Sequence, residues 1–217
     1  MNKEMKFNPL FGSRTKMSRF RSLPLFVIFS LIFFTGCGAA QSSRDALVQP
    51  EKLMDAVGVK PGMVIGEGGA GEGYFTFKLA RRVGPTGKIY ANDIVERVLG
   101  VIARRSEREG FTNITTILGK VDDPLFPQGE LDMIFMIAAF HDFEKPVEWL
   151  RNVQPCLKPG GTLVIVERDP DKMSSGRSHF LTKQEILELV KTSGFKLDRI
   201  ETFLSMHNIY IFKLNGL

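Results

Sequence analysis

The run Glu67-Gly68-Gly69-Ala70-Gly71-Glu72-Gly73 closes an apolar stretch. Glycines at such a turn let the backbone approach a ligand that a side chain would hold off. Two frames fit this run. Gly66, Gly68 and Gly71 satisfy the GxGxxG pattern of dinucleotide sites. Glu67, Gly69, Gly71 and Gly73 instead form an acid followed by glycines at alternate positions. Asp93 ends a second apolar run, and a carboxylate there can accept two hydrogen bonds at once. Asp122 and Asp123 follow a third run, and Phe140-His141-Asp142-Phe143 follows a fourth. His141 titrates near neutrality, the property of a general base. An aromatic-His-Asp cluster also suits the simpler task of closing a pocket. His179 and His207 have no cysteine nearby and no zinc spacing, so no metal is expected.

The elements that position these residues alternate strand and helix from about residue 50. Residues 63–67 read as a strand, 73–83 as a helix, and 84–87 (Gly-Pro-Thr-Gly) as a loop. Residues 88–93 form a second strand, 97–109 a helix stopped by Gly110, and 114–118 a β-branched third strand. Residues 131–138 are apolar throughout, the pattern of a strand buried on both faces. Pro146 opens a helix with Val147, Leu150, Val153 and Leu157 on one face, and Pro155 should distort its last turn. Gly160-Gly161 turns into a strand over 162–167. Thr182-Lys183-Gln184-Glu185 is a capping box, and Gly194 ends its helix. Two β-like stretches, 196–203 and 208–214, close the chain with no helix between them. The expected fold is α/β: a doubly wound, mostly parallel seven-stranded Rossmann-like sheet with an antiparallel C-terminal hairpin.

With these elements placed, the chain resembles the class I S-adenosylmethionine-dependent methyltransferases. The likeness rests on Glu67, Gly69, Gly71 and Gly73 after the first strand, and on Lys60-Pro61-Gly62 before it. It extends to Gly87-Lys88-Ile89-Tyr90-Ala91-Asn92-Asp93, to Leu157-Lys158-Pro159-Gly160-Gly161-Thr162-Leu163, and to the final hairpin. It covers the chain from about Gln49 onwards. The resemblance implies S-adenosylmethionine as cofactor, contacted by Glu67, Gly69, Ala70, Gly71, Gly73, Asp93 and Asp122. Asp93 would bind both ribose hydroxyls. Glu67 would hold the glycine loop or approach the methionine ammonium through water. Asp122 would accept from the adenine amino group. Asp123 is its alternative, because the family often has Gly-Asp where this chain has Gly119-Lys120. His141 would stand where relatives contact the methionine end and the acceptor, with catalysis as its candidate role. Arg168, Asp169, Arg177 and His179 follow the fifth strand, where a substrate loop or lid would sit.

The N-terminal segment reads as an address. Residues 1–36 carry six bases against Glu4, which accounts for the whole net charge of +5 and leaves the rest of the chain neutral. A neutral domain has no general draw towards phosphate backbones, so no nucleic-acid partner is expected. Residues 23–34 are an apolar run of twelve, too short to span a bilayer comfortably. Phe34-Thr35-Gly36-Cys37 follows and resembles the lipobox of bacterial lipoproteins, with Phe34 where Leu is usual. The expectation is a signal peptide over 1–36, a lipidated Cys37 with a polar tether over 37–50, and a methyltransferase-like domain over 51–217. The protein would then be lipid-anchored to a membrane of the cell envelope; the alternative is an uncleaved signal anchor. With Cys37 acylated, Cys156 has no partner and should pack as a small apolar residue.

The function expected is methyl transfer from S-adenosylmethionine to an acceptor the sequence does not identify, with a small molecule as the working reading. One rival is a non-catalytic envelope module that binds a ligand or partner, since the methyl donor is made in the cytoplasm. A second rival is a nicotinamide enzyme using the overlapping GxGxxG frame. Nothing in the sequence fixes an oligomeric state.

Overall fold

Five apolar runs, each ended by turn residues, pair side by side, and the two C-terminal runs join them as a hairpin. The computed structural model describes residues 35–173 and 179–215, with the side chains of residues 35–41 outside the description. The basic and apolar parts of the expected export signal, the side chain of Cys37, and Arg177 therefore lie outside the described residues. Among the described residues, no helix is long and apolar enough to cross a membrane.

The strands are β1 (Val64–Gly68), β2 (Lys88–Asp93), β3 (Ile114–Leu118), β4 (Leu131–Ile137), β5 (Leu157–Arg168), β6 (Phe195–Glu201) and β7 (His207–Leu214). The helices are α1 (Thr35–Val48), α2 (Pro50–Val57), α3 (Thr76–Val83), α4 (Glu96–Glu109), α5 (Pro146–Val153) and α6 (Lys183–Thr192). The sheet order is β3-β2-β1-β4-β5-β7-β6. The first five strands pair in parallel, whereas β7 runs antiparallel to both β5 and β6. The α/β class, the seven strands and the terminal hairpin are as the sequence led one to expect.

Strand side chains alternate between the two faces, because the pleat has a period of two. Met133 and Phe135 pack with Leu53, Met54 and Leu79 of α2 and α3, while Ile134 and Met136 pack with Leu150 and Ile186 of α5 and α6. A third cluster seats Leu99 and Ile102 of α4 against Ala91. In α5, Leu150 and Val153 are buried as expected, and Trp149, rather than Val147, is buried with them. Pro155 breaks α5 at Val153 into a 3-10 turn over Gln154–Cys156, since proline has no amide to continue the ladder. The capping box forms, with both Thr182 and Glu185 bonding across the first turn of α6.

Residues read from sequence as a polar tether are helical up to Val48. Tyr74 donates its hydroxyl to Asp45 at 2.7 Å, Lys78 reaches Asp45 at 2.8 Å, and Val48 is buried. The Arg44 guanidinium stacks over the Tyr74 ring at 4.5 Å.

Candidate functional site

Beside β1 the chain order reverses: β2 and β3 extend to one side, β4 and β5 to the other. Loops leaving neighbouring strands there depart to opposite faces and leave a crevice at the carboxyl ends. A cavity of about 360 Å³ occupies this place, a size ordinary for a small-molecule site. Its lining includes Gly69 and Gly71 after β1, and Asn92, Asp93, Ile94 and Val95 at the end of β2. Lys120 and Val121 follow β3, and Ala138, Ala139, Asp142 and Phe143 follow β4. Trp149 closes the floor from α5.

The glycine loop is held by β2. Asp93 Oδ2 accepts from the Gly71 amide at 2.9 Å, its Oδ1 accepts from the Val95 amide at 3.0 Å, and the Ala70 amide donates to the Asn92 carbonyl at 2.9 Å. Gly69 and Gly71 have φ of +70° and +54°, and a Cβ on Gly69 would stand 2.5 Å from the Ala139 Cβ. A Cβ on Gly71 would meet nothing within 4 Å, so that backbone faces open space at the cavity wall. Glu67 sits beneath the loop, 1% exposed, and accepts from Thr76 Oγ1 at 2.5 Å. Burial, reinforced by the nearby Asp93 charge and opposed by the Thr76 bond, pushes its carboxyl up to about 8.

On the other side, Ala138 turns the chain out of β4 with φ +49°, a conformation that costs a non-glycine residue energy and recurs at functional sites. One 3-10 turn, Phe140–Asp142, follows. Glu167 at the end of β5 receives it: Oε1 accepts from the Phe140 amide at 2.7 Å, and Oε2 lies 2.9 Å from His141 Nδ1. Glu167 is 1% exposed. The hydrogen bond to Glu167, more than the opposing burial, raises the His141 pKa above its ordinary value. His141 Nε2 faces Asp142 Oδ2 at 3.5 Å, and His179 Nε2 faces Asp142 Oδ1 at 3.4 Å.

Of the residues expected at the cofactor, Gly69, Gly71 and Asp93 line the cavity, and Glu67, Ala70, Gly73 and Asp122 do not. Ala70 is buried against the α4 cluster, and Gly73 leaves room for Phe77 and Ile102. Asp122 pairs with Lys145 at 3.4 Å, and Asp123 accepts from the Leu125 amide at 2.9 Å. Lys120 and Val121 occupy the wall instead. His141 itself does not line the cavity, although Asp142 does. Among the residues that sequence reasoning missed, Asn92, Trp149 and Glu167 do most to build the site. Asn92, buried at 2%, ties β2 to β3 through the Ile117 carbonyl and to the loop after β3 through the Pro124 carbonyl. Trp149 fills the space left by Gly68, where a Cβ would meet its ring at 2.9 Å. Glu167 had one signal: a carboxylate closing the apolar run Leu163-Val164-Ile165-Val166 at a strand's carboxyl end. The dinucleotide frame does not fit, because Gly66 and Gly68 lie inside β1 and the turn is made by Gly69, Gly71 and Gly73.

Residues 59–203 match a family of proteins described as methyltransferase domain. A nocamycin O-methyltransferase of Saccharothrix syringae is 34% identical over 83 residues, covering 38% of this chain and 30% of that protein. A protein-L-isoaspartate O-methyltransferase of Methanothrix thermoacetophila is 29% identical over 113 residues, covering 52% of this chain and 51% of that protein. The chain thus spans a third to a half of the length of these relatives. A crystal structure of a SAM-dependent methyltransferase from Aquifex aeolicus superposes with TM-score 0.73 at 24% identity, covering 78% of this chain and 92% of the other.

Proposed function

We propose, from the premise that this chain belongs to the methyltransferase domain family, that it transfers a methyl group from S-adenosylmethionine to a small-molecule acceptor bound in the cavity beside β1 and β4. S-adenosylmethionine is the cofactor, and when bound it supplies an electrophilic methyl group on a sulfonium that leaves as a neutral thioether. The observation carrying this reading is the Asp93 carboxylate at the end of β2, fixed by the Gly71 and Val95 amides on the cavity wall. Each of its oxygens retains a lone pair, enough to accept the two ribose hydroxyls. Ile94 and Val95 beside it, 51% and 46% exposed, offer an apolar surface for a flat base. Gly69 and Gly71 let the backbone approach the methionine portion. Phe143, Ala139 and Trp149 exclude water where the methyl group would be delivered, so positioning and shielding provide most of the rate. The test is calorimetric titration of the full chain with S-adenosylhomocysteine and with NAD. Binding of the first alone supports the reading, and binding of NAD alone overturns it.

For the N-terminal segment, the proposal remains export and lipidation at Cys37, on the strength of the apolar run over 23–34 and the Phe34-Thr35-Gly36-Cys37 ending. Mass spectrometry of the membrane fraction should find Cys37 as an acylated N-terminus, and Cys37→Ser should leave a longer precursor. An intact Met1 or Met17 start would point to a signal anchor.

A further inference from the structure

Three donor groups from two distant stretches of chain meet at the edge of the cavity. His141 Nε2 stands 3.5 Å from one oxygen of Asp142, and His179 Nε2 stands 3.4 Å from the other. The donor atoms of all three lie within 4.8 Å of one another. The two imidazole rings meet edge to face, 5.2 Å apart at 77°. Ligands about 2.1 Å from a tetrahedral cation stand roughly 3.4 Å from each other, so these separations leave room for one ion.

Two further observations distinguish this cluster from a surface ion pair. Buried Glu167 places its Oε2 2.9 Å from His141 Nδ1 and so fixes the ring from behind. With Nδ1 facing Glu167, Nε2 is the ring nitrogen that His141 presents to Asp142. The order carboxylate, imidazole, open donor is also the arrangement by which proteins orient a metal-binding histidine. His141 is 7% exposed in its side chain, whereas Asp142 and His179 are 63% and 70% exposed, so the cluster is fixed on one side and open on the other.

We propose that His141, Asp142 and His179 form a site for one first-row divalent cation of the Zn²⁺ type, with Glu167 as the outer partner that orients His141. Two imidazoles and one carboxylate favour Zn²⁺ over Mg²⁺ or Ca²⁺, which take oxygen ligands. Three protein ligands leave a coordination position open. Asp142 also lines the cavity, which puts that position on the wall of the substrate cleft. An acceptor with a hydroxyl or thiol would bind there through its heteroatom and release its proton to water, since a bound cation lowers the pKa of such a group. His141 is then a ligand and not a base.

The test is calorimetry on the metal-stripped full chain, with Zn²⁺ as probe and Mg²⁺ as control. One equivalent of Zn²⁺ should bind, and Mg²⁺ should not. His179→Ala and Asp142→Asn should each lower Zn²⁺ affinity by at least about tenfold, the scale set by losing a single group at a metal site. Co²⁺ should give ligand-field absorption in the parent chain that is lost in His179→Ala. S-adenosylhomocysteine affinity of His179→Ala should stay unchanged, which separates failure of this site from failure of the methyl-transfer reading. No Zn²⁺ binding to the parent chain, or equal affinity in His179→Ala, overturns the proposal.

Discussion

Asp93 and Gly71 are joined at 2.9 Å, carboxylate oxygen to backbone amide, across the mouth of the cavity. One side chain therefore shapes the glycine loop and faces the cleft at the same time. The second oxygen is anchored by the Val95 amide at the start of α4, so the carboxylate is pre-set before any ligand arrives.

Asp93→Ala should weaken S-adenosylhomocysteine binding by about 1.5–3 kcal/mol, through loss of charge-assisted hydrogen bonds to the ribose and of the loop anchor. Asp93→Asn keeps an acceptor without the charge and should fall between. Calorimetry on folded variants checks both, and unchanged affinity in Asp93→Ala would remove this residue from the site.

The two loop glycines should fail differently. Gly71→Ala has open space for its methyl group and only a positive φ to bear, so it should cost about 1 kcal/mol of stability while abolishing cofactor binding. Gly69→Ala adds a collision with the Ala139 Cβ at 2.5 Å and should lose more stability as well as binding. Denaturant unfolding alongside a binding titration separates the two effects. Equal stability losses would mean that the contact with Ala139 relaxes freely.

The sheet was legible because each strand is a bounded apolar run, and the glycine loop because no other residue type makes such a turn. What escaped notice depends on contacts distant in sequence. Glu67 was legible as the acid of the glycine loop, but its full burial beneath that loop was not. Helical spacing put Val147 on the buried face, but Trp149 is the side chain that reaches the gap left by Gly68. Lys120 and Val121 line the cavity while Asp122 and Asp123 do not, and reciprocal backbone bonds between Lys120 and Asp123 fold that loop back on itself. His179 shows no metal spacing along the chain, and only the fold brings it to Asp142.

Asp45→Ala should destabilise the domain by about 1 kcal/mol, because it leaves the Tyr74 hydroxyl and the Lys78 ammonium without their shared partner. The figure is kept low because the Asp45 side chain is 36% exposed and water can replace it. Urea unfolding measures the change. No change would mean that the last turn of α1 rests on the domain without supporting it.

The final prediction concerns two buried groups with opposite displacements. Burial and the Asp93 charge raise Glu67 from 4.5 to about 8, while burial and the Arg168 and Lys172 charges lower His207 from 6.5 to about 4. Between pH 4.5 and about 8 the unfolded chain releases a proton that folded Glu67 keeps, so stability falls with pH at about 1.4 kcal/mol per unit. Between about pH 4 and 6.5 the unfolded chain takes up a proton that folded His207 refuses, so stability rises with pH at the same slope. From 4.5 to 6.5 the two slopes cancel; above 6.5 the Glu67 decline remains, joined by that of His141, whose pKa is also raised in the folded protein. Glu67→Gln keeps an acceptor for Thr76 Oγ1 and removes the ionisable group. Relative to the parent chain it should gain stability steadily from pH 4.5 to 8 and flatten the decline above pH 6.5. His207→Gln should do the opposite, exposing a decline that begins near pH 4.5. Urea unfolding of the three proteins at half-unit intervals from pH 4 to 8.5 gives the comparison. Parallel profiles for the parent chain and Glu67→Gln would show that Glu67 is ionised in the folded protein at neutral pH and that its burial has been compensated by a partner other than Thr76.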